Sequence, residues 1–317
     1  MASSPNRRVV IAFILLVLFA GSNTVAIHFT VSELAPFWGA VLRFLLTALI
    51  FWGFVLVRRS PFPRGRALWG VLLYGFLGFG ANFAALYWGL REVPAGLAQV
   101  VLALVPLLTF FFAFFHSLER FRLRGLLGAL LAVAGIAWAF FDRPAGDLPL
   151  LSLLVIVVAA AFFAESAVVV KLFPGSDPFM MNALGMTVGS LTLVILSLLA
   201  GEAWILPVRP ATWLSLAYLV LFGSFFAFYL ILYILAHWTA SATSYQFVFV
   251  PFVTVLVSSW LAGETVNPAL LLGGALVLVG VWIGAFSGSS TPRLPAQIPV
   301  AEPPPLPEEP GLGNFRP

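Results

Sequence analysis

Glu165 is the side chain best placed for chemistry, because it lies several turns inside the apolar stretch Pro149–Leu172. A carboxyl group in such surroundings is expensive to keep ionised, which suits a proton-binding site or an anchor for a ligand's ammonium group. The alternative is that Glu165 lies near a wetted helix end, hydrogen-bonded by a neighbour such as Ser166. We take it as the candidate coupling residue and as one of the candidate binding residues.

Asn23 and Arg43 also lie inside long apolar stretches. The Asn23 amide can donate and accept hydrogen bonds, which suits a zwitterionic ligand, but the same bonds can join neighbouring helices. Arg43 could neutralise a ligand carboxylate. It could equally extend to a membrane interface or pair with Glu165 or Glu33.

An aromatic stripe runs along the apolar stretch 212–236, where five rings fall within about an 80° arc of one helix face: Tyr218, Phe222, Phe225, Tyr229 and Tyr233. Facing lipid, tyrosines in mid-helix would be poorly placed, so we expect Tyr229 and Tyr233 to face a cavity, where they suit apolar or aromatic groups. The remaining candidates of this type are Asn82, Tyr87, Gln99, Tyr245 and Gln246.

Two pairs of residues fit a structural role better than a binding role. Glu119 and Glu264 each end an apolar stretch just before the next one begins, where a carboxylate is stabilised by a helix N-terminus. Pro106 and Pro251 each fall in the middle of a stretch, where proline removes a backbone hydrogen bond and kinks a helix or provides a hinge.

The composition places these residues in a membrane. The 317 residues are 62% hydrophobic and 9% charged, with a mean hydropathy of +1.06. This predicts an all-α integral membrane protein. The absence of cysteine excludes disulfides and thiolate metal sites, and three histidines without metal-ligand spacing predict no metal and no cofactor. The net charge of +4 is spread over loops, so we expect no nucleic-acid partner.

Spanning a ~30 Å hydrocarbon core takes about 20 helical residues, and the chain offers ten such stretches. They are Val9–Phe29, Pro36–Val57, Ala67–Leu90, Ala95–His116, Arg124–Phe141, Pro149–Leu172, Pro178–Leu199, Thr212–Ala236, Ser241–Leu261 and Pro268–Phe286. Asp177 before Pro178, and Asn267 before Pro268, are typical helix N-caps followed by proline at the first helical position.

The basic residues predict the orientation of these spans. With residues 1–8 in the cytoplasm, twelve Lys and Arg lie on the cytoplasmic side and three on the outer side. This agrees with the positive-inside rule. Both termini are therefore predicted to be cytoplasmic, in what we expect to be a bacterial inner membrane. Residues 287–317, with nine prolines after residue 290, predict a disordered Pro-rich cytoplasmic tail.

The chain repeats itself. The segment Leu77–Phe141 matches Phe222–Phe286 at a fixed offset of 145, with glycine, proline and glutamate positions shared. The earlier helices match at an offset of 142, where Pro36 aligns with Pro178 and Phe37 with Phe179, so residues 9–141 and 149–286 form two repeats of five helices each. Because five is odd, the second repeat is inverted, and the loop charges agree: the Arg120–Arg124 turn is basic, whereas the Thr265–Ala269 turn is not. Inverted repeats are typical of secondary transporters, with a substrate site between the halves.

Several segments resemble one known family. Residues 21–27, GSNTVAI, look like the first-helix signature of the EamA family, in the drug/metabolite transporter superfamily. Arg43 stands where that family commonly has an arginine in its second helix. The run Ala240–Glu264, with the glycines that follow it, is similar to the family's second-repeat pattern. The resemblance covers residues 9–286.

The resemblance implies a ten-helix basket of two inverted five-helix repeats, with a central cavity lined mainly by helices 1, 3, 4, 6, 8 and 9. It also implies export of small metabolites, as in amino-acid exporters of the YddG type. His28 stands where the family often has lysine, so a role that needs a fixed cation there does not transfer to this chain.

We therefore expect a secondary transporter, not an enzyme, that exports amino acids, including aromatic or other apolar ones, by alternating access. Its partners would be a small-molecule substrate and the lipid bilayer. An organophosphate or nucleotide-sugar exchanger and a non-transporting membrane scaffold are the alternatives, and uptake, proton coupling and oligomeric state stay open. Phosphate-rich substrates would need more cationic side chains than Arg43 supplies.

Overall fold

The computed structural model describes residues 7–118, 123–139, 149–174, 176–244, 246–261, 263 and 268–283, which are predominantly helical. Glu119, Glu264, Tyr245 and the Pro-rich residues 287–317 lie outside the described residues, and the expectations placed on them stay predictions.

Each of the ten predicted stretches is predominantly helical over its described residues. The helices are α1 (Arg7–Gly21), α2 (Asn23–Val31), α3 (Pro36–Arg58), α4 (Arg66–Gly75), α5 (Asn82–Gly89), α6 (Ala95–Leu102), α7 (Val105–Phe115), α8 (Leu123–Ala139), α9 (Leu150–Leu172), α10 (Pro178–Leu199), α11 (Pro210–Val220), α12 (Ala227–His237), α13 (Ala240–Ser244), α14 (Gln246–Leu261) and α15 (Pro268–Val281).

Seven helical segments of the described chain are long and apolar enough to cross a membrane, among them the α1–α2 and α6–α7 combinations. Large apolar side chains cover their outer surface, including Leu56, Leu199 and Leu214, each more than 70% exposed. Such an apolar surface suits lipid rather than water. The protein is integral to a membrane.

Prolines and one aspartate set several of the helix starts. Proline occupies the first turn of α3, α10 and α11, where its missing N–H costs nothing. The predicted N-cap at Asp177 is confirmed, since its carboxylate accepts hydrogen bonds from the main-chain N–H groups of Phe179 and Met180.

Two π-helical turns interrupt long helices at equivalent places. Residues Phe76–Ala81 connect α4 to α5, and residues Leu221–Phe226 connect α11 to α12. Adding the sequence offset of 145 to the first turn gives the second. A π turn is a rare conformation that is frequent at functional sites, so its recurrence at this offset extends the sequence repeat to backbone geometry.

Equivalent helices pack against each other in opposite directions. In the α8–α15 pair, a Cβ on Gly135 would lie 2.7 Å from the Gly273 carbonyl oxygen. A Cβ on Gly280 would lie 2.5 Å from the carbonyl oxygen of Gly128. Gly128 and Gly135 are the offset equivalents of Gly273 and Gly280, so the contact is reciprocal and the two helices run antiparallel. Glycine is required here because the backbones touch.

The α3–α10 pair has the same antiparallel arrangement. Trp52 Nε1 donates to Thr187 Oγ1 at 3.0 Å, and Ser60 Oγ donates to Asp177 Oδ1 at 2.9 Å. At the other end Glu202, just beyond α10, accepts from the main-chain N–H groups at the start of α3. The end of each helix therefore contacts the beginning of the other.

Candidate functional site

A central cavity of about 60 Å³ brings together polar side chains from widely separated helices. Asn23, Asn82, Gln99 and Gln246, all named from the sequence, line it together with Thr24. Its remaining wall is apolar and includes Leu16, Phe83, Leu86, Phe163, Phe228 and Ile231. This volume holds only a few water molecules.

Broken helices deliver these side chains. The first predicted span is interrupted at Ser22, directly before Asn23, and its Gly21 carbonyl oxygen accepts a 2.6 Å hydrogen bond from Thr254 Oγ1. The first π turn ends just before Asn82. Helix interruptions at mid-membrane depth are tolerated where they line a cavity.

The amide groups in the cavity are only partly satisfied by the described residues. Thr24 Oγ1 donates to Gln99 Oε1 at 2.8 Å, while the other polar atom of the same amide, Gln99 Nε2, has no hydrogen-bond partner. Asn82 Nδ2 donates to the Gly78 carbonyl oxygen of the π turn at 3.1 Å. Asn23 Oδ1 is buried and also lacks a hydrogen bond. A buried donor and a buried acceptor thus remain available to a ligand.

Arg43 lies directly behind this cavity rather than in it. Its side chain is 0% exposed. Nε donates to Ser224 Oγ at 2.7 Å and Nη2 donates to the Gly223 carbonyl oxygen at 2.8 Å, both in the second π turn. The rings of Phe44 and Phe83 cover the guanidinium at 4.8 Å. Neither the pairing with Glu165 or Glu33 nor an extension to the interface is found.

A family model decides the identity of this arrangement. The model of the "EamA-like transporter family" matches the chain twice, over residues 7–141 and over residues 150–285. The chain belongs to the EamA-like transporter family. The resemblance read from the sequence is confirmed, and the two matched segments are called the first half and the second half below.

Three curated relatives match 70% or more of the EamA-like chain. An inner membrane transporter, YedA, of Escherichia coli K12 is 28% identical over 92% of this chain and 95% of its own length. A "probable amino-acid metabolite efflux pump" of Salmonella typhimurium is 26% identical over 86% of this chain and 93% of its own. A "probable terminal-alkyne amino-acid exporter" of Streptantibioticus cattleyicolor is 28% identical over 70% of this chain and 74% of its own.

A solved crystal structure has the same fold. It superposes with a TM-score of 0.65 at 20% sequence identity, covering 89% of this chain and 98% of the other. The EamA-like fold of this chain therefore has an experimentally determined counterpart along nearly its whole length.

Glu165 lies outside the central cavity of the EamA-like fold. Its Oε1 is 2.7 Å from His116 Nε2, and the two side chains are 22% and 40% exposed. Its Oε2 is buried without a hydrogen bond. Ser166, the neighbour expected to bind it, donates instead to the Phe163 carbonyl oxygen. The pair joins the end of α7 in the first half to α9 in the second.

Tyr229 and Tyr233 do not face the cavity, contrary to expectation. The cavity face of this region is formed by Gly223, Ala227, Phe228 and Ile231. Tyr229 packs against Phe179, and Tyr233 against His237. Tyr229 and Tyr233 are each two residues away from Ile231 in α12, about 200° around the helix at 100° per residue, so they lie on the side opposite the cavity face.

Tyr87 also lies outside the cavity, in the protein core beside Arg43. It is 0% exposed, and its hydroxyl has no hydrogen bond of good geometry although it lies next to the guanidinium. His28 lies at a helix end, with Nδ1 3.3 Å from the Leu90 carbonyl oxygen.

Pro106 and Pro251 have different local structures although they are equivalent in sequence. The helix of the first half is interrupted at Ala103 and Leu104, so Pro106 lies in the first turn of α7. Pro251, in contrast, lies within the continuous helix α14. Pro251 lines a second cavity, of about 170 Å³, whose lining residues are all apolar. Without a polar group to orient a ligand, this second cavity is a poor substrate site.

Sequence reasoning missed three participants. They are Thr24, His116 and Ser224. Thr24 lines the cavity beside Asn23, and a helical projection of the first span did not show this because the helix is interrupted at Ser22. His116 and Glu165 are 49 residues apart, and Arg43 and Ser224 are 181 apart. No local spacing indicates such contacts; they follow only from how the two halves pack.

Proposed function

We propose that the protein is a secondary transporter that exports small amphipathic metabolites, amino acids in particular, by alternating access. The observation that carries the proposal is the central cavity, whose amide groups come from both halves and remain partly unsatisfied. A site between two halves can be exposed to either side of the membrane as one half moves against the other.

We further propose that the ten helices form two inverted repeats of five. The antiparallel packing of equivalent helices, α8 with α15 and α3 with α10, supports this arrangement. The recurrence of the π turn and the double family match support it as well. Two helices related by a two-fold axis within the membrane plane run in opposite directions, as these pairs do.

The cavity chemistry favours amino acids over phosphate-rich substrates. The amide side chains supply both N–H donors and carbonyl acceptors, which suit the carboxylate and the ammonium of a zwitterion. The apolar wall suits an aliphatic or aromatic side chain. A phosphate ester would require several cationic side chains, and Arg43 is the charged group beside the cavity in the described chain. The relatives named as amino-acid exporters agree with this choice.

The proposed location is the bacterial inner membrane, with both termini in the cytoplasm. The location rests on the E. coli relative, which is named an inner membrane transporter. The orientation rests on the excess of arginine in the loops assigned to the cytoplasmic side.

Counterflow in proteoliposomes tests the function. Vesicles containing the purified protein and preloaded with unlabelled L-leucine or L-phenylalanine should accumulate the labelled amino acid transiently. Gln99→Leu should lower the rate at least tenfold, because it removes two cavity groups, whereas Gln297→Leu, in the Pro-rich C-terminal segment, should not change it. Absence of counterflow with a broad amino-acid panel, combined with counterflow of phosphate esters, would contradict the proposal.

A further inference from the structure

Arg43 is the most deeply buried charge in the described chain, and its hydrogen bonds do not neutralise it. Its partners are one hydroxyl and one carbonyl oxygen, and Nη1 has no hydrogen bond. No carboxylate of the described residues lies within 4 Å of the guanidinium. A buried, uncompensated charge is costly in a protein and more so in a membrane, so its presence calls for a counter-charge.

The fold itself does not require an arginine at this position. At the offset of 142 that aligns Pro36 with Pro178, the residue equivalent to Arg43 is Gly185. Gly185 packs its backbone onto Gly75, with the rings of Tyr74 and Phe79 beside it. The second half therefore makes the same helix contact with its π-turn partner without any charge. The charge of Arg43 is thus additional to what the packing needs.

The groups around Arg43 that lack partners match a carboxylate and an ammonium. Arg43 Nη1 and the hydroxyl of Tyr87 lie beside each other without a hydrogen bond of good geometry, so both can donate to a ligand, and Asn23 Oδ1 is an unsatisfied acceptor. Arg43 Nη2 and Asn23 Oδ1 both lie within 3.5 Å of the point where a Cβ on Gly223 would sit. A guanidinium next to a hydroxyl donor is a common way to bind a carboxylate.

We propose that Arg43, with the Tyr87 hydroxyl, binds the carboxylate of the transported amino acid, and that Asn23 Oδ1 accepts from its ammonium group. This inference rests on the proposed function and names the part of the substrate that the site recognises. The backbone of Gly223 and the ring of Phe83 separate the guanidinium from the cavity. The site opens when the π turn Leu221–Phe226 shifts and releases Nη2 from the Gly223 carbonyl oxygen.

A comparison on the wild-type protein tests the inference without any substitution. The melting temperature of the full chain in detergent is measured at increasing concentrations of L-leucine or of L-leucinamide. Leucinamide lacks the carboxylate but keeps the ammonium group and the side chain. We expect leucine to bind at least tenfold more tightly. Equal affinities would overturn the inference, whatever the variants do.

Counterflow of both compounds by Arg43→Gln gives the second test. The variant should transport leucine at least tenfold more slowly than the wild type and leucinamide within twofold of the wild-type rate, so that the preference for the acid is lost. Arg91→Gln, at an exposed arginine, should keep the preference. Retention of the preference by Arg43→Gln would overturn the inference.

The outcomes separate the inference from the proposed function. If the wild type transports neither compound nor any other amino acid, the proposed function fails. If the wild type transports leucine and a monodisperse Arg43→Gln variant loses leucine and leucinamide equally, the proposed function stands and Arg43 is structural. If Arg43→Gln does not fold, the wild-type comparison of acid and amide decides.

Discussion

The two halves of the chain solve the same packing problem in different ways. Each contains a π turn, and in each a helix of the other half lies against that turn. In one copy the contact is made by Gly185 against Phe79, and in the other by Arg43 against Ser224. Because the apolar version is sufficient to hold the helices together, the charged version indicates a specialised task rather than a structural one.

A second difference lies at the ends of the halves. His116 and Glu165 pair across the two halves, whereas the equivalent residues at offsets of 145 and 142 are Leu261 and Asn23. A polar pair therefore joins the two halves at one place, while at the equivalent positions Leu261 replaces the histidine and Asn23 faces the cavity.

The two halves are most alike at the α8–α15 contact, so equivalent substitutions there should have equal effects on stability. Gly135→Ala and Gly280→Ala each place a methyl group less than 3 Å from backbone atoms of the partner helix. We expect both to lower the free energy of unfolding by roughly 3 kcal/mol and by similar amounts, measured by thermal unfolding in detergent. Gly53→Ala, where a Cβ meets nothing within 4 Å, is the control. Markedly unequal losses would break the symmetry of the contact.

Where the halves differ, Ser224→Ala should have a clear but smaller effect. It leaves Arg43 Nε without an acceptor in a buried site, which costs about 1–2 kcal/mol. Ser190→Ala is the matched control, because Ser190 is equally buried but its hydroxyl has no hydrogen bond to lose. Equal effects of the two substitutions would show that the Arg43–Ser224 bond contributes nothing.

The His116–Glu165 pair should contribute less still, since both side chains are partly exposed. A double-mutant cycle with His116→Leu, which copies the equivalent Leu261, and Glu165→Gln should give a coupling energy below about 1 kcal/mol. Glu165→Gln should also weaken transport or change its pH dependence. Zero coupling and unaltered transport at every pH would remove the pair from the mechanism.

The smallest effect is expected at Glu33, in the loop before α3. Hydrogen bonds from the Thr212 hydroxyl and from the main-chain N–H groups of Val208 and Arg209 lower its pKa below the ordinary value of 4.5. A lowered folded pKa means that the stabilisation is complete above the ordinary value and is lost as the pH falls through the folded pKa.

Melting temperatures of Glu33→Gln and the wild type should therefore differ slightly at neutral pH and converge as the pH falls below the ordinary value of 4.5 and through the lowered folded pKa. Glu308→Gln, in the Pro-rich C-terminal segment, should match the wild type throughout. A difference that grows on acidification would contradict the lowered pKa.

Sequence reasoning predicted the features that depend on periodicity and local chemistry. The lengths of the apolar stretches predicted the positions of the helices, and Asp177 followed by proline predicted a capped helix start. Shared glycine and proline positions at a fixed offset predicted the repeat. Asn23, Asn82, Gln99 and Gln246 could be found because a buried amide in a membrane helix needs a partner.

The remaining features depend on long-range packing. The sequence shows that Tyr229 and Tyr233 share one face of a helix, but packing decides that the opposite face of α12 lines the cavity. The neighbours of Arg43 and Glu165 come from the opposite half, so their roles depend on how two helices meet and not on any local pattern.

The central claim is that the two halves lie upside down relative to each other. The chain contains no cysteine, so single cysteines placed at Arg122 and at Thr265 can be labelled with an impermeant maleimide in oriented membrane vesicles. The proposed arrangement predicts that the two positions react from opposite sides of the membrane. Labelling of both from the same side would contradict it.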